Sequence, residues 1–393
     1  MNQLINSTKN LKHFLLIAVI SMISFTGMAQ WNLVMQKGGN IFSLIKSENV
    51  RYAGTQFGVF KSIDNGVNWS IANTGLTNTV IHPMLSNQSR IFAGTEAGIF
   101  ISDNKGMNWT ESNQGLTISK INCLLNTDEG IYAGTDDQGL FFSTDNGDNW
   151  SVLNNGITNL SIKTIVKNGS RLFIGTDGAG VFYSDNEGAT WTQNNTGLVS
   201  WYIHHLEVKD SKLYVSTNSS FYISDNNGLS WSVLTTPFGH KVLCSVNYQD
   251  YMFVGTDGDG VFYTKDEGNT WTAWSDGLEN KNMYAIEIFG DYVWAPSCCG
   301  FGLFKRLLPE ITSIEKLTTK NKIKMYPNPA YHMINIDSEY AIQSLLVYNQ
   351  SGQLVLEDIN KKGQINISHL ISGIYTCLIK TKEGFSTQQL IVK

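Results

Sequence analysis

The sequence predicts an all-β protein: a seven-bladed β-propeller, its ring closed by an N-terminal strand, followed by a small C-terminal β-sandwich. A turn of eight residues recurs every 40 or 41 residues, short strand-like runs separate the turns, and the sequence texture changes near residue 325. A period near 40 with strand-like flanks is typical of propellers or solenoids. Low charge (16%) and 36 Gly against 6 Pro favour a secreted all-β chain.

The recurring turn follows the pattern S-x-D-x-G-x-x-W. It occupies residues 62–69, 102–109, 143–150, 184–191, 224–231 and 264–271. Its glycine gives the backbone freedom that a tight turn needs, and its third residue gives a short acceptor for backbone N–H groups. Because Asp and Asn alternate at the third position, we expect a structural turn and no cation site. These third residues are Asp64, Asn104, Asp145, Asn186, Asn226 and Asp266.

Each repeat predicts four strands, which is the content of one propeller blade. An apolar strand leads, a second strand ends near a Gly-Thr pair, an aromatic third strand enters the turn, and a Trp opens the fourth. Residues 31–34 begin like a fourth strand with no blade before them, whereas residues 283–305 supply three strands and no fourth. We therefore predict that the Trp31 strand completes blade seven and closes the ring, within a propeller at residues 30–308.

The turn pattern resembles the Asp-box, or BNR, repeat of sialidase-like, sortilin-like and photosystem-assembly-factor-like propellers. Sialidases hold the substrate carboxylate with three arginines, one in an Arg-Ile-Pro motif, and use a Tyr/Glu pair with an Asp acid/base. This chain has no Arg-Ile-Pro, and its only arginines are Arg51, Arg90, Arg171 and Arg306. We expect no sialidase activity. We interpret the first three arginines as surface residues at strand starts.

Residues 1–29 have the features of a secretory signal peptide. Lys9, Lys12 and His13 precede an apolar run at 14–25, and Gly27 and Ala29 are small residues suited to cleavage. The run of about 12 apolar residues is shorter than the roughly 20 that span a membrane. We predict cleavage near Ala29 and a mature chain with no transmembrane segment.

Residues 309–324 form a lysine-richer linker, and residues 325–393 predict a β-sandwich of about seven short strands. YPNP at 326–329, VYNQSGQLV at 347–355 and SGIYTCLIKT at 372–381 resemble the type A C-terminal sorting domain of the type IX secretion system. The resemblance implies export across the outer membrane, then removal of the domain by that system's sortase, with surface attachment or release. A generic adhesive sandwich is the alternative. We expect a secreted or outer-surface protein.

The loops between second and third strands bring acidic residues to the face where the axial channel opens. They are Glu96, Asp136, Asp137, Asp177, Asp257 and Asp259. One hypothesis is an acidic mouth that binds a cation, an amine or a basic protein segment. The alternative is that Asp in Thr-Asp-Gly only shapes a turn.

A ring of variable residues lies twelve positions before each Gly-Thr glycine. The ring consists of Phe42, His82, Asn122, Lys163, His204, Leu243 and Tyr284. The preceding position is apolar in every repeat, so the ring side chains alternate away from the packed side. Aromatic side chains beside His and Asp can stack on a sugar and bond its hydroxyls; blade packing is the alternative. The hypothetical ligand site comprises His82, Asp136, Asp177, Trp201, Tyr202, His204, Asp257, Asp259 and Tyr284.

The five cysteines do not suggest a disulfide framework. The adjacent Cys298 and Cys299 suggest a vicinal disulfide, with free thiols or a metal as alternatives. Cys123 and Cys244 occupy equivalent positions on distant blades, so we expect free buried thiols. No CxxC or His-rich spacing is present. We expect no resident metal and no cofactor.

The acidic charge lies in the propeller, because residues 30–308 hold 17 Lys and Arg against 26 Asp and Glu, a balance of −9, whereas residues 309–393 hold 9 against 7. This argues against nucleic-acid binding, which needs clustered Lys and Arg. No pair of carboxylates stands out, so we assign no catalytic residue. We interpret the chain as a secreted or cell-surface binding or adhesion module for a glycan or protein ligand, with the type IX machinery and sortase as partners of residues 325–393. The alternatives are a carbohydrate-active hydrolase and an extracytoplasmic assembly or stability factor.

Overall fold

The computed structural model describes residues 31–35, 39–88, 90–297, 302–308, 323–338, 341–349, 354–358, 364–381 and 384–393. The predicted signal peptide, most of the predicted linker, Cys298 and Cys299 lie outside these residues. All regular elements in the described ranges are strands. The chain divides into two compact units, Asn32–Lys305 and a second that includes Arg306–Lys393.

The first unit contains seven four-stranded antiparallel sheets, which are the blades. The amino-terminal strand is β1 (Asn32–Met35). Blade one holds β2 (Ile41–Ser47), β3 (Val50–Thr55), β4 (Gly58–Ser62) and β5 (Ser70–Ile71). Blade two holds β6 (Ile81–Asn87), β7 (Arg90–Thr95), β8 (Gly98–Ser102) and β9 (Thr110–Glu111). Blade three holds β10 (Ile121–Asn126), β11 (Ile131–Thr135), β12 (Leu140–Ser143) and β13 (Ser151–Val152).

The remaining blades repeat this order. Blade four holds β14 (Ile162–Asn168), β15 (Arg171–Thr176), β16 (Val181–Ser184) and β17 (Thr192–Gln193). Blade five holds β18 (Ile203–Lys209), β19 (Lys212–Thr217), β20 (Phe221–Ser224) and β21 (Ser232–Val233). Blade six holds β22 (Val242–Tyr248), β23 (Tyr251–Thr256), β24 (Val261–Thr264) and β25 (Thr272–Ala273). Blade seven holds β26 (Glu287–Phe289), β27 (Tyr292–Ser297) and β28 (Gly302–Leu307), with β1 as its outer strand.

The two ends of the propeller meet in blade seven. Strand β1 pairs antiparallel with β28, and Asn32 stands opposite Lys305. Trp31, which precedes β1, is buried. The predicted seven blades and the predicted closure by the Trp31 strand are therefore confirmed.

The recurring turn is fastened by side chains that accept backbone hydrogen bonds. In blade one, Gly66 N donates to Ser62 Oγ at 2.8 Å, and Asn68 N donates to Asp64 Oδ1 at 2.9 Å. Ser62 Oγ also donates to Asp64 Oδ1 at 2.8 Å. Gly66 adopts a φ of +85°, which explains the glycine. The same three bonds recur in the other five turns, including those with Asn.

The Trp of the turn connects neighbouring blades. The indole N–H groups of four buried members, Trp109, Trp150, Trp191 and Trp231, each donate to a carbonyl of the preceding blade. Trp150 Nε1, for example, lies 2.9 Å from Ser112 O. Burial of these large rings supplies apolar contact, and the hydrogen bond satisfies the polar end of the indole.

The arginines bridge blades, so their interpretation as surface residues is wrong. Arg51 is only 8% exposed, and its guanidinium lies 4.9 Å from the ring centre of Trp294 in blade seven. Arg90 pairs with Asp103 at 2.7 Å in its own blade and with Asp148 at 2.7 Å in blade three. A planar guanidinium can bond one blade and contact the next, which a strand-start position alone does not reveal.

The second unit is a small sandwich of seven described strands, as predicted. One sheet contains β29 (Lys324–Tyr326), β30 (Met333–Asp337) and β33 (Gln364–Asn366). The other contains β31 (Ile342–Tyr348), β32 (Leu354–Asp358), β34 (Gly373–Thr381) and β35 (Gly384–Val392). Buried residues from both sheets, among them Ile334, Leu345 and Cys377, form one core.

Candidate ligand-binding site in the axial cavity

The first strands of the blades surround a cavity of about 480 Å³. Its lining includes all seven ring residues, Phe42, His82, Asn122, Lys163, His204, Leu243 and Tyr284. A break in strand register explains their direction. In blade five, Ile203 pairs with Thr217 and His205 pairs with Ser216, which leaves His204 outside the ladder. The same irregularity recurs at the ring position of blades one, two, three, four and six.

Blades seven, one and two give the cavity an aromatic arc of Tyr284, Phe42 and His82. The ring centres of Phe42 and His82 are 5.0 Å apart, and those of Phe42 and Tyr284 are 5.8 Å apart. His82 Nε2 lies 3.5 Å from Glu96 Oε1. Burial, reinforced by the charge of Lys120, lowers the pKa of His82 despite Glu96. The arc is therefore a largely uncharged surface at neutral pH.

Blades three to five give the cavity a polar arc. Lys163 Nζ lies 2.8 Å from Asp136 Oδ1 and 3.2 Å from Asp177 Oδ2, so it bridges two carboxylates. Asn122 donates to the same Asp136 oxygen at 3.0 Å. The hydrogen bond from Lys163 is the main reason that the pKa of Asp136 is lowered. Burial lowers the pKa of His204, whose Nε2 contacts Asn218 Oδ1.

The acids at the rim have protein partners. Asp259 Oδ2 accepts hydrogen bonds from Gly239 N at 2.9 Å and His240 N at 3.0 Å, and lies 2.9 Å from His240 Nδ1. Asp257 lies 3.6 Å from Lys241 Nζ, and Asp137 accepts from Ser119 Oγ. Asp259 thus shapes the loop before blade six. The rim is mixed in charge, and its acids are largely balanced by neighbouring donors.

Trp201 and Tyr202 form an exposed aromatic pair before ring residue His204. They are 49% and 50% exposed. Their backbone is fixed, because Gly178 N and Gly180 N donate to Trp201 O at 3.1 and 2.8 Å. An isolated β-bridge also joins Tyr202 to Asp177. The structure therefore holds two aromatic side chains in solvent, in the sequence directly before the cavity-lining strand β18.

A polar cluster deeper in the channel was missed by the sequence analysis. It consists of His205 and Glu207 on β18, Ser245 and Asn247 on β22, and Glu287 on β26. In the ladders of their blades, Glu207 stands opposite Tyr214 and Glu287 stands opposite Trp294. Both glutamates therefore occupy the first-strand position that faces the aromatic residue of the second strand. The other five blades place Ile45, Leu85, Leu125, Val166 and Val246 there. Comparison of the repeats at this position is the signal that could have found the cluster.

Hydrogen bonds fix Glu207 within this cluster. It accepts from Ser245 Oγ at 2.5 Å, from Asn247 Nδ2 at 2.9 Å and from Val208 N at 3.1 Å. His205 Nε2 lies 2.7 Å from Ser245 Oγ. Burial, with a smaller contribution from the charge of Glu207, raises the pKa of Glu287 to about 7. Near neutral pH the cluster therefore contains one carboxyl group that is poised to gain or lose a proton.

Cys123 and Cys244 are free thiols, as predicted from their separation, but only Cys244 is buried and Cys123 is partly exposed. Cys123 lines the cavity, but burial raises its pKa to about 12, so a reactive thiolate is not populated at neutral pH. In the described ranges, no group of three or more His, Cys, Asp or Glu side chains is placed to hold a metal ion. The pairing of Cys298 with Cys299 falls on residues outside those ranges and stays a prediction.

Similar solved structures are propellers. YCF48 from Cyanidioschyzon merolae is 15% identical with a TM-score of 0.57, covering 72% of this chain and 99% of that one. The extracellular domain of the putative hybrid two-component system BT3049 from B. thetaiotaomicron is 12% identical with a TM-score of 0.62. The match covers 93% of this chain and 57% of that one. The GH74 xyloglucanase from Xanthomonas campestris is 12% identical with a TM-score of 0.58, covering 91% and 68%. At these identities the likeness shows the fold alone.

Family models match two parts of the chain. Residues 154–284 match a DUF6242 beta propeller domain, and residues 324–393 match a secretion system C-terminal sorting domain. No curated protein gives a significant match. Within the described residues, no helix has the length and hydropathy needed to cross a bilayer. The chain is a seven-bladed β-propeller protein that carries a C-terminal sorting domain of the type IX secretion system.

Proposed function

We propose that this protein is a secreted or cell-surface binding module whose propeller holds an extracellular ligand at the axial cavity. The sorting domain at residues 324–393 supports export by the type IX machinery and processing by its sortase. The observation that carries the binding role is the cavity itself. Seven ring residues, one from each blade, surround a volume of about 480 Å³. Small-molecule sites commonly have volumes of about 300–1,000 Å³ and combine apolar walls with a few polar groups.

A glycan is the ligand that the side chains favour. Trp201 and Tyr202 offer exposed aromatic faces on a backbone fixed by Gly178 and Gly180. His204 and Asn122 in the cavity offer groups that can bond hydroxyls. The fold does not choose the ligand, since one similar propeller is a xyloglucanase and YCF48 has been solved bound to a D1 peptide. The preference for a glycan therefore rests on the aromatic pair.

A hydrolase needs two carboxylates at about 5–10 Å with separate roles. Asp259 is engaged by three donors of its own loop, and Asp257 by Lys241. These contacts make a catalytic role for the rim pair a weaker proposal than binding. Turnover of a polysaccharide panel distinguishes the two, because a binding module retains the ligand without releasing product.

The proposal is tested with the chain starting at Gln30, on a glycan array and in a pull-down of surface proteins. We expect glycan binding that Trp201→Ala weakens about tenfold, because loss of one stacking face costs about 1.4 kcal/mol. The matched control is Val199→Ala, a change at an 84% exposed side chain nearby in the sequence. An unchanged array profile for Trp201→Ala at unchanged stability would refute the glycan role. Absence of any captured ligand would refute the binding role as a whole.

A further inference from the structure

The channel wall of blades five and six carries polar residues where packing favours apolar ones. Ser245 stands opposite Val254 in the ladder. The same register position in blades one to five holds Leu44, Met84, Leu124, Ile165 and Leu206. One position further along, Glu207 and Glu287 replace the Ile, Leu or Val of the other five blades. Burial of a polar group costs free energy unless it is bonded, so these replacements are not explained by packing.

Glu207 differs in its partners from Asp136 and Asp257, the rim acids that pair with lysines. Its hydrogen-bond donors are the neutral groups of Ser245, Asn247 and the Val208 amide. Its nearest basic side chain is His205, with Nε2 at 3.8 Å. Among the described residues, no Lys or Arg nitrogen forms an ion pair with it, whereas Asp136 pairs with Lys163. The Glu207 side chain is only 22% exposed, so its charge is held in a partly dehydrated wall without a fixed counter-ion.

The cavity brings this carboxylate and the aromatic arc to one ligand. Both His205 and Glu207 line it, as do Phe42, His82 and Tyr284. In a seven-bladed ring, blades one and two stand across the axis from blade five. Aromatic faces attract cations and cover carbon skeletons. A ligand that spans the cavity therefore meets aromatic rings on one side and an acid fixed by three donors on the other.

We propose that the axial cavity recognises an alkylammonium group, with Glu207 as its counter-ion and the aromatic arc over its carbon skeleton. This inference rests on the proposed function and names the ligand chemistry of the same cavity. A cation supplies the charge that the fixed donors around Glu207 do not. The ammonium belongs either to an amino sugar or to a lysine side chain of a protein partner, and the two sources share this chemistry.

The test compares protonated amines with their neutral acetylated forms, by calorimetry on the chain starting at Gln30. One pair is glucosamine against N-acetylglucosamine. The other is Nα-acetyl-lysine methylamide against the same compound acetylated at Nε. We expect the protonated member of at least one pair to bind ten or more times tighter, and the pair that does so identifies the source.

Two variants locate the effect. Glu207→Gln keeps the shape and an oxygen acceptor for Asn247 and the Val208 amide, and its Nε2 can donate to the Ser245 hydroxyl. It removes only the charge, so the preference for the amine should fall to less than twofold. The matched control is Glu111→Gln, an exposed site on the outer strand β9, which should keep the full preference. Thermal unfolding of each variant verifies that it is folded.

The outcomes separate this inference from the proposed function. Binding of the neutral members with equal affinity would overturn the ammonium site and leave the binding module in place. A preference that persists in folded Glu207→Gln would also overturn it. Failure of all four compounds to bind overturns the ammonium site, and the glycan array and pull-down then decide the binding role separately.

Discussion

Glu287 makes the stability of the propeller depend on pH in a direction that is set by its burial. Its pKa is about 7 in the folded chain against 4.5 for an ordinary glutamate. At about 1.4 kcal/mol per pH unit, this difference corresponds to about 3 kcal/mol. The folded state holds the proton of Glu287 more tightly than the unfolded state does. The contribution of this protonated carboxyl group to the free energy of unfolding is therefore complete below pH 4.5. It is lost as the pH rises through about 7.

Glu287→Gln isolates this contribution, because glutamine is a neutral side chain of nearly the same shape. We expect wild type and variant to have similar free energies of unfolding near pH 4.5, and the variant to be more stable by about 3 kcal/mol at pH 8.5. Burial lowers the pKa of His82 and His204, which makes stability fall at low pH, but both remain in the variant. The difference between the two proteins therefore reports Glu287.

Urea unfolding followed by tryptophan fluorescence provides the assay. All ten Trp residues lie before residue 309, so the signal reports the propeller and not the sorting domain. The control is Glu111→Gln, at an exposed carboxyl on β9, which should keep the pH slope of the wild type. If Glu287→Gln followed the same slope as the wild type between pH 4.5 and 8.5, the burial of Glu287 as described here would be refuted.

Three further predictions concern the repeated turn, the contacts between blades and export. Asp145→Asn should leave the free energy of unfolding unchanged, because Asn fills the same position in three other turns. Asp145→Ala should lower the free energy of unfolding by about 1 kcal/mol, because the turn loses its side-chain acceptor. Urea unfolding measures both values, and equal losses of stability in the two variants would contradict the turn role. Trp150→Phe should lower the free energy of unfolding by about 1–3 kcal/mol, because Ser112 O loses its buried indole donor. A loss below about 0.5 kcal/mol in thermal or urea unfolding would contradict the bridging role. Deletion of residues 324–393 should leave the protein in the periplasm of its host, as fractionation and immunoblotting would show; unchanged secretion would contradict export through the tail.

The blade count was predictable because each blade repeats a turn whose hydrogen bonds are local in sequence. Gly66, Ser62 and Asp64 satisfy each other within five residues, so their pattern survives in every repeat. Ring closure was also predictable, since the Trp31 strand lacked a blade and the last repeat lacked a fourth strand. Interactions between residues close in sequence therefore made most of the fold predictable.

The missed features depend on contacts between blades, which are about 40 residues apart in sequence. Arg51 looked exposed because nothing near it in sequence shows that Trp294 lies beneath its guanidinium. Asp136 looked like a free acid because its partner Lys163 belongs to the next blade. Glu207 and Ser245 each looked like an ordinary strand residue. Only the hydrogen bond between their neighbouring blades reveals one cluster, and a ligand site produces no repeated sequence pattern from which it could be predicted.

The central claim is that ligands bind in the axial cavity, and filling the cavity tests it most directly. Leu243→Trp places a large side chain at a ring position that lines the cavity. Its matched control is Ile71→Trp, at a 65% exposed side chain on the outer strand of blade one. For the ligand found on the array or in the pull-down, we predict at least tenfold weaker binding to folded Leu243→Trp and unchanged binding to Ile71→Trp. Equal binding by both variants would contradict the account.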